Sequence, residues 1–555
     1  MRLRRAFLAA MLALTVGALL FRLPALGNRP FHGDEAVHAF KFQELWKEGM
    51  YRYDANEYHG PTLYYAALPV AWINWNSSSG SWFEAKQNLA DFVEADFRLP
   101  IVLFGAAMVL AMAPLAAGLG RRATFSAGIL LAISPALVFY SRYYIQETLL
   151  AFFTLATISA GWQYARGRRL GWAIAAGVCA GLMIATKETA ALAFAAALGA
   201  FALMPVWRRF VDRDLAPWTR RFDWRHLALA ATVAIVVACL FLSGFGSNHA
   251  GPAGILTGPL DYLKSYTPWL RRAGGASSHV YPWSYYFSIL LWSKTGRGPV
   301  YSEALIVLLG ILGAIVALSP RRAAAEPPDG PPTPQRFALS YSGSVPLLRF
   351  IAFYTILLSL IYSAIPYKTP WCLLSFLTGA ILLAGVGAMA LITGLRSVPV
   401  RAAIGVLLIG GCAQLMVQAW RASYVAYTDP ANPYVYAQPT QEVVSLGKRI
   451  ADIAHYSGRG PDMLIKVIWP DNYHWPIPWY LREFTRVGYY HDLSDPDATV
   501  VIAPPEMEAG LDAKLGKTHV ETPAFGVRPG VIAQPWVRND VWAGYLKMRP
   551  RPADD

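Results

Sequence analysis

The apolar positions of this chain fall in long blocks that are separated by short polar segments. Between Ala6 and Trp420, apolar stretches of close to 20 residues recur, each long enough to cross roughly 30 Å of hydrocarbon as a helix. Many Trp and Tyr residues stand at the ends of these stretches, as in the aromatic belts of membrane–water interfaces. The pattern predicts a polytopic α-helical membrane protein with about eleven transmembrane helices. These helices are predicted near 6–26, 99–119, 123–141, 146–164, 170–186, 189–207, 226–246, 301–319, 347–366, 370–392 and 401–420.

Basic residues cluster between the apolar blocks and indicate the orientation of the chain. With a cytoplasmic N-terminus, every cluster falls on the cytoplasmic side, in agreement with the positive-inside rule. We therefore predict a multi-pass protein of the cell (inner) membrane whose residues after Trp420 lie outside. The first apolar run lacks a small-x-small cleavage site, so it is interpreted as a retained span. The clusters are Arg2, Arg4 and Arg5; Arg121 and Arg122; Arg166, Arg168 and Arg169; Arg208, Arg209, Arg213, Arg220, Arg221 and Arg225; Arg321 and Arg322; and Arg396 and Arg401.

Composition supports this interpretation, since 55% of the residues are hydrophobic and only 15% are charged, against about 25% charged residues in soluble proteins. The net charge of +14 follows from the cytoplasmic clusters, so nucleic acid is not a predicted partner. All four cysteines, Cys179, Cys239, Cys372 and Cys412, fall inside apolar spans. Their positions indicate neither a disulfide framework nor a CxxC metal site.

Two domains are predicted, a transmembrane domain at 1–421 and a non-cytoplasmic domain at 422–555. Within the first, residues 27–98 form a long acidic outer loop with two amphipathic stretches that are expected to lie at the interface. Residues 320–346 form a Pro-rich cytoplasmic loop. In the tail, 440–454 has helical periodicity and 463–468 and 498–503 are short β-branched runs. This alternation predicts a small C-terminal α/β domain.

Two adjacent carboxylates, Asp34 and Glu35, follow the first span directly. A positioned carboxylate can remove the proton of an attacking hydroxyl, so Asp34 is a candidate general base with Glu35 in support. Acidic residues at the start of an amphipathic helix also stabilise that helix by capping it. The two roles are compatible, with Asp34 catalytic and Glu35 supporting it.

A metal site is a weaker hypothesis. His59 could bind a divalent metal together with Glu57 or His279, although a single histidine more often serves as a hydrogen-bonding residue. The HExxH type of metal-ligand spacing is absent from the sequence. The sequence therefore identifies no cofactor, and a divalent metal stays an open hypothesis.

Three short outer turns place a cation at the membrane boundary, namely Arg142, Lys187 and Lys368. Converging cations at that depth would bind a lipid-linked phosphate and would stabilise the charge on a departing phosphate. Arg142 and Lys187 each have an acid close by in sequence, so structural ion pairs explain them equally well. Snorkelling to lipid headgroups is the corresponding alternative for Lys368.

Six segments spread over nearly the whole chain form a recognisable set: HGDEAVHAFKF at 32–42, YHGPTLYY at 58–65, FRLPIVLFG at 97–105, ATKET at 185–189, IPYKTPW at 365–371 and WPIPWYLREF at 475–484. With them the chain resembles the GT-C membrane glycosyltransferases, the clan of protein O-mannosyltransferases and of the aminoarabinose transferase of lipid A. The resemblance is greater still to a prokaryotic subgroup called "flippase activity-associated". In place of the Lys-Pro-Pro-like turn of the lipid A transferases, this chain has His59-Gly60-Pro61.

The resemblance implies an enzyme that transfers a sugar from a polyprenyl-phosphate donor to a hydroxyl of a glycan, lipid or protein acceptor. It also implies that Asp34 and Glu35 form the catalytic site, and that Arg98, Arg142, Lys187 and Lys368 are candidates for binding the donor phosphate. Two alternatives stay open: a flippase component for lipid-linked sugars, and a non-catalytic scaffold for envelope-glycan assembly. Transporters commonly contain internal repeats, and the sequence has no convincing one.

Overall fold

The computed structural model describes residues 2–55, 59–79, 89–214, 223–247, 254–275, 279–320 and 343–549. The chain divides into two compact units. The first unit is formed by Met1–Pro24, Glu48–Ala67 and Arg98–Tyr434. The second unit is formed by Ala25–Lys47, Leu68–Phe97 and Val435–Asp555.

Seventeen α-helices precede the C-terminal domain in the described part of the chain. Long apolar helices form here because a helix satisfies its own backbone hydrogen bonds, which lipid cannot do. Helix boundaries follow local signals, for example at Ser134, whose side chain accepts a hydrogen bond from Leu137 N just before Pro135 opens the next helix. The helices are α1 Arg2–Arg22, α2 Gly33–Glu48, α3 Thr62–Ser79, α4 Glu94–Ala111, α5 Ala116–Leu119, α6 Arg121–Ile133, α7 Pro135–Tyr140, α8 Glu147–Gly167, α9 Leu170–Ile184, α10 Ala190–Phe210, α11 Trp224–Leu242, α12 Gly254–Ala273, α13 Tyr285–Leu291, α14 Ala304–Leu318, α15 Val345–Ala364, α16 Leu374–Gly394 and α17 Val398–Trp420.

The predicted polytopic membrane architecture is confirmed. Seven helical stretches within the described ranges are long and apolar enough to span a membrane, and shorter apolar helices accompany them. Every predicted span coincides with a helix or a pair of helices, but the count of eleven spans stays a prediction. Most of the Pro-rich loop, at 321–342, lies outside the described residues. The seven stretches are Leu3–Arg22, Glu94–Leu119, Ala190–Phe210, Trp224–Leu242, Val345–Ala364, Pro370–Gly394 and Val398–Val425.

A mixed sheet forms the centre of the C-terminal domain, and it confirms the predicted small α/β domain. The strand order is β2-β1-β3-β6-β4, with β5 paired to β6. Strand β1 is parallel to both β2 and β3, whereas β6 is antiparallel to β3 and β4. The elements are α18 Gln441–Tyr456, β1 Ile465–Ile468, α19 Ile477–Tyr480, β2 Val487–Tyr490, β3 Val500–Ala503, α20 Glu508–Leu515, β4 His519–Glu521, β5 Phe525–Arg528, β6 Val531–Arg538 and α21 Asn539–Met548.

The domain core joins the apolar face of α18 to the apolar side chains of the sheet. Leu446 and Ile450 from the helix belong to one buried cluster with Ile465 and Val467 from β1. These side chains recur at helical spacing in α18, which explains why the sequence pattern at 440–454 predicts this helix.

The second unit also contains parts of the first long loop. The ring of Phe31 lies 4.4 Å from the ring of Trp479, and Trp479 Nε1 donates a hydrogen bond of 2.9 Å to Glu94 Oε1. Gln438 Nε2 donates to the carbonyl of Pro30 at 2.9 Å. Parts of the first loop and the C-terminal domain therefore pack against each other within one compact unit. The sequence-based domain bounds, 1–421 and 422–555, stay a prediction.

Candidate active site

The Asp34–Glu35 pair opens helix α2, and the structure gives its two members different surroundings. Glu35 is fully buried, and its Oε2 accepts a hydrogen bond of 2.9 Å from the backbone N–H of His32. Its Oε1 lies 3.8 Å from Arg29 Nη2. A carboxylate that reaches back to the N–H preceding the helix forms half of a capping box. Glu35 therefore makes the structural contacts, while the side chain of Asp34 is 53% exposed.

His32 supplies the other half of this cap. Its Nδ1 accepts a hydrogen bond of 3.1 Å from Asp34 N, and its Nε2 lies 3.0 Å from the carbonyl oxygen of Tyr436. A carbonyl oxygen can only accept a hydrogen bond and a backbone N–H can only donate one. These partners therefore assign the proton to Nε2 and leave Nδ1 as the acceptor. The imidazole thus holds the backbone of Asp34 in place, with Nδ1 at 3.8 Å from Asp34 Oδ2.

Arg528 lies close to the N-terminus of helix α2, and the sequence does not indicate this proximity. It ends strand β5, and its Nη1 donates a hydrogen bond of 3.1 Å to the carbonyl of Trp475. A Cβ added to Gly33 would lie 3.9 Å from the same Nη1. Burial lowers the pKa of Arg528, and the nearby Tyr473 and the Asp34 carboxylate act in the opposite direction. Asp34 and Arg528 therefore form an electrostatically coupled pair.

A second polar cluster lies in the first unit and surrounds Glu188. Glu188 Oε2 lies 3.0 Å from His59 Nδ1, while Oε1 accepts hydrogen bonds from Tyr53 Oη at 2.8 Å and His59 N at 3.0 Å. Burial alone would raise the pKa of the Glu188 carboxyl, but the hydrogen bonds and charge of His59 together with the bond from Tyr53 lower it to about 2. The cluster thus holds a buried carboxylate in its ionised form.

Backbone hydrogen bonds dock the His59-Gly60-Pro61 turn onto the turn that contains Glu188. Gly60 N donates to Thr186 O at 3.0 Å, and Thr62 N donates to Ala185 O at 3.3 Å. A Cβ at Gly60 would lie only 1.9 Å from Ala185 O, so this approach requires glycine. The described part of the YHGPTLYY segment, which begins at His59, and the ATKET segment are therefore neighbours in space.

The candidate metal ligands do not come together as a set in the part of the chain that the structure describes. His59 is paired with Glu188, and the backbone carbonyl of His279 accepts a hydrogen bond of 3.1 Å from Lys368 N. Glu57 lies outside the described residues. No group of three or more His, Cys, Asp or Glu side chains that could hold a metal ion occurs within the described ranges. The metal hypothesis stays a prediction without a defined site.

The four candidate phosphate-binding cations are all buried and all belong to the first unit. Lys187 forms an ion pair with Glu147, and this carboxylate outweighs the effect of burial and raises the pKa of Lys187. Lys368 Nζ donates to the carbonyl of Ile365, and burial lowers the pKa of Lys368. Arg98 is 1% exposed.

Arg142 is held by the end of helix α1 and by a tyrosine. Its Nη1 donates to the carbonyl of Arg22, to Pro24 O at 2.7 Å and to Tyr424 Oη at 3.0 Å. A cation at the C-terminus of a helix satisfies its last carbonyls and complements the helix dipole. Burial lowers the pKa of Arg142 to about 10. These contacts stabilise the fold, and a phosphate-binding role for Arg142 stays a prediction.

The sequence matches the family model described as dolichyl-phosphate-mannose-protein mannosyltransferase over residues 12–250. A comparison with curated proteins gave no match. The matched range covers α1 to α11, including Asp34, His59, Arg98, Arg142 and Lys187.

Solved structures with a similar fold include an ArnT and an oligosaccharyltransferase. ArnT from Cupriavidus metallidurans bound to undecaprenyl phosphate has a TM-score of 0.58 at 16% identity, over 94% of this chain and 97% of that chain. The Archaeoglobus fulgidus oligosaccharyltransferase, in complex with Zn and sulfate, has a TM-score of 0.51 at 14% identity, over 90% of this chain and 68% of that chain. These matches confirm the predicted GT-C fold.

Proposed function

We propose that this protein transfers a sugar from a polyprenyl-phosphate donor to an acceptor hydroxyl on the non-cytoplasmic face of the cell membrane. The observation that carries the proposal is that the two adjacent carboxylates at the start of α2 have different environments. Glu35 is buried and caps the helix, whereas Asp34 beside it presents a half-exposed carboxylate. The family match and the GT-C fold support sugar transfer, and ArnT, which shares the fold, binds undecaprenyl phosphate.

In the proposed reaction, Asp34 acts as the general base. The acceptor oxygen attacks the anomeric carbon of the donor and inverts it, while the bond from that carbon to the phosphate oxygen breaks. The proton of the acceptor hydroxyl passes to Asp34, and the polyprenyl phosphate leaves with both electrons of the broken bond. A carboxylate positioned in this way contributes about 10²- to 10⁴-fold to the rate.

Cations of the first unit are proposed to bind the donor phosphate and to stabilise the negative charge that it gains. Lys368 is the strongest candidate, because within the described residues its side chain donates a hydrogen bond to the neutral carbonyl of Ile365, a contact that does not balance its charge. Lys187, Arg142 and Arg98 follow, with the charge of Lys187 already balanced by Glu147. The proposal includes a cytoplasmic N-terminus in the cell (inner) membrane, which the distribution of basic residues supports.

Replacement of Asp34 by Asn tests the proposal, because the amide keeps the size of the side chain and removes the base. Glu44→Gln is a matched control, since Glu44 lies on the same helix and its side chain is 52% exposed. Parent and variants would be purified in detergent, checked for equal thermal stability, and assayed for sugar transfer from a short polyprenyl-phosphate donor. We expect Asp34→Asn to lose 10²-fold or more of the rate and Glu44→Gln to match the parent.

Equal transfer by the parent and Asp34→Asn would show that the base lies elsewhere and that Asp34 only belongs to the helix cap. Absence of transfer by the parent with every donor tested would favour the flippase or scaffold alternatives instead.

A further inference from the structure

The carboxyl ends of strands β1, β2 and β3 meet at one edge of the C-terminal sheet. Strand β1 is parallel to both neighbours, and β2 and β3 lie on opposite sides of it. The connection that leaves β1 leads to β2, whereas the connection that leaves β3 leads to β4 on the opposite side of the sheet. The two connections therefore diverge between β1 and β3, and in open α/β sheets a crevice forms at such a point and commonly binds ligands. Here the connection after β1 contains Trp469 to Trp475, and β2 ends at Tyr490.

Aromatic side chains from β2 and from the connection after β1 cluster near the carboxyl ends of these strands. The ring of His474 stacks on the ring of Trp475 at 5.8 Å and on the ring of Tyr489 at 5.3 Å, with interplanar angles of 27° and 26°. Tyr473 is 54% exposed and Tyr489 is 42% exposed. We refer to Tyr473, His474, Trp475 and Tyr489 as the aromatic ladder. Tyrosines that contribute only to a core would be buried, so this degree of exposure is typical of a binding surface.

The aromatic ladder lies next to the N-terminus of α2 within the same compact unit. A Cβ added to Gly33, the residue before Asp34, would lie 3.6 Å from Trp475 Cβ. The guanidinium of Arg528 lies 5.4 Å from the ring centroid of Tyr473 and donates to the carbonyl of Trp475. Stacking surfaces, a hydrogen-bond donor and the proposed base therefore lie side by side.

We propose that the aromatic ladder binds a sugar ring of a glycan acceptor and thereby brings one of its hydroxyls to Asp34. A pyranose has apolar C–H faces, which stack on aromatic rings, and a polar edge, which needs donors and acceptors. Arg528 provides donors, Asp34 provides an acceptor, and the rings provide the apolar surface, which is the usual composition of a small-ligand site. This inference rests on the proposed function, because it assigns a chemical class to the acceptor.

Saturation-transfer NMR tests this binding without requiring catalysis. The probes are mannotriose, maltotriose and chitotriose, each added to the full-length protein in lipid nanodiscs. The test variant is Tyr473→Ala/Tyr489→Ala, which removes two exposed rings. The control is Leu546→Ala, which truncates an exposed apolar side chain on α21 of the same domain. Thermal unfolding would verify that both variants are folded.

We expect saturation transfer from the parent to the ring protons of at least one trisaccharide. The double variant should bind that sugar about tenfold or more weakly, as when aromatic anchor residues are removed, and Leu546→Ala should bind like the parent. Equal binding by the double variant and the parent would overturn the proposal. Absence of transfer to all three sugars in the parent would also overturn it, and the exposed rings would then fit a protein partner.

Asp34→Asn separates this inference from the proposed function. If both hold, this variant still binds the trisaccharide through the aromatic ladder and loses sugar transfer. If the parent binds the trisaccharide through the aromatic ladder but transfers no sugar, the glycan site stands and the transferase mechanism fails.

Discussion

The buried ion pair between Lys187 and Glu147 provides a quantitative test of the first unit. Their side chains are 7% and 4% exposed, and within the described chain Glu147 Oε2 has no hydrogen-bond partner. Removal of one partner leaves the other charge buried and uncompensated, which costs about 3–5 kcal/mol. Removal of both leaves no buried charge, and the net effect on the free energy of unfolding is often close to zero. We therefore expect Lys187→Met and Glu147→Gln to be destabilising singly and to compensate each other when combined.

Thermal unfolding of the four proteins in one detergent completes this double-mutant cycle. For a unit of about 380 residues, an unfolding entropy of about 2.1 cal/mol/K per residue converts 1 kcal/mol into about 1.25 °C. Each single variant should therefore unfold about 4–6 °C below the parent, and the double variant should recover most of that loss. Single variants as stable as the parent, or a double variant less stable than both, would refute the reasoning.

The same cycle distinguishes structural from donor-binding roles of Lys187. If Lys187 also binds the donor phosphate, the double variant regains thermal stability but retains a raised KM for the donor. If its role is structural only, the donor KM of the double variant returns to the value of the parent.

Three further predictions follow from individual contacts. Because the pKa of Glu188 is lowered from its ordinary 4.5 to about 2, its ionised form stabilises the fold by about 3 kcal/mol above pH 4.5. That stability should be lost as the pH falls from 4.5 towards 2, and a Glu188→Gln variant with the same acid unfolding profile would contradict the assignment. Gly60→Ala should cost about 2 kcal/mol through the loss of two backbone hydrogen bonds, and a parent-like midpoint in thermal unfolding would show that the turn can shift without penalty. In denaturant unfolding, Glu35→Ala should lower the free energy of unfolding by about 1 kcal/mol through the lost cap. Glu35→Gln should lower it less, since glutamine also completes a capping box. A greater loss for Glu35→Gln than for Glu35→Ala would exclude the cap.

Hydropathy predicts much of the first unit because length and apolar character alone decide whether a segment can span a bilayer. The positions of α18, β1 and β3 are likewise predicted, because their buried side chains recur at helical or strand spacing. Pairing between elements was harder to predict. The sequence places Glu188 beside Lys187 and Glu147 near Arg142, yet Lys187 pairs with Glu147 and Glu188 pairs with His59. Neighbouring residues in a tight turn point in different directions, so adjacency along the chain does not identify partners.

The surroundings of Asp34 in the candidate site could likewise be predicted only in part from the sequence. The HGDEAVHAFKF motif identifies the carboxylates and the start of a helix, but the capping role of Glu35 depends on the backbone geometry at His32. Arg528 ends a strand of the C-terminal domain, and no local pattern connects it with residues near the N-terminus. Amphipathic stretches in the first loop predict an apolar face that must be covered, without indicating that the C-terminal domain covers part of it.

The order of the chain delays completion of the second unit during synthesis. Ala25–Lys47 and Leu68–Phe97 are translated before the whole of Arg98–Tyr434, while Val435–Asp555 comes last. At roughly 5–20 residues per second, the interval is about 20–70 s. During this time Phe31 lacks Trp479, the ring on which it packs in the finished protein. The early loop therefore needs protection by the membrane surface or a chaperone until the last residues emerge. Premature termination anywhere after Phe97 would leave this apolar surface exposed, which marks such fragments for degradation.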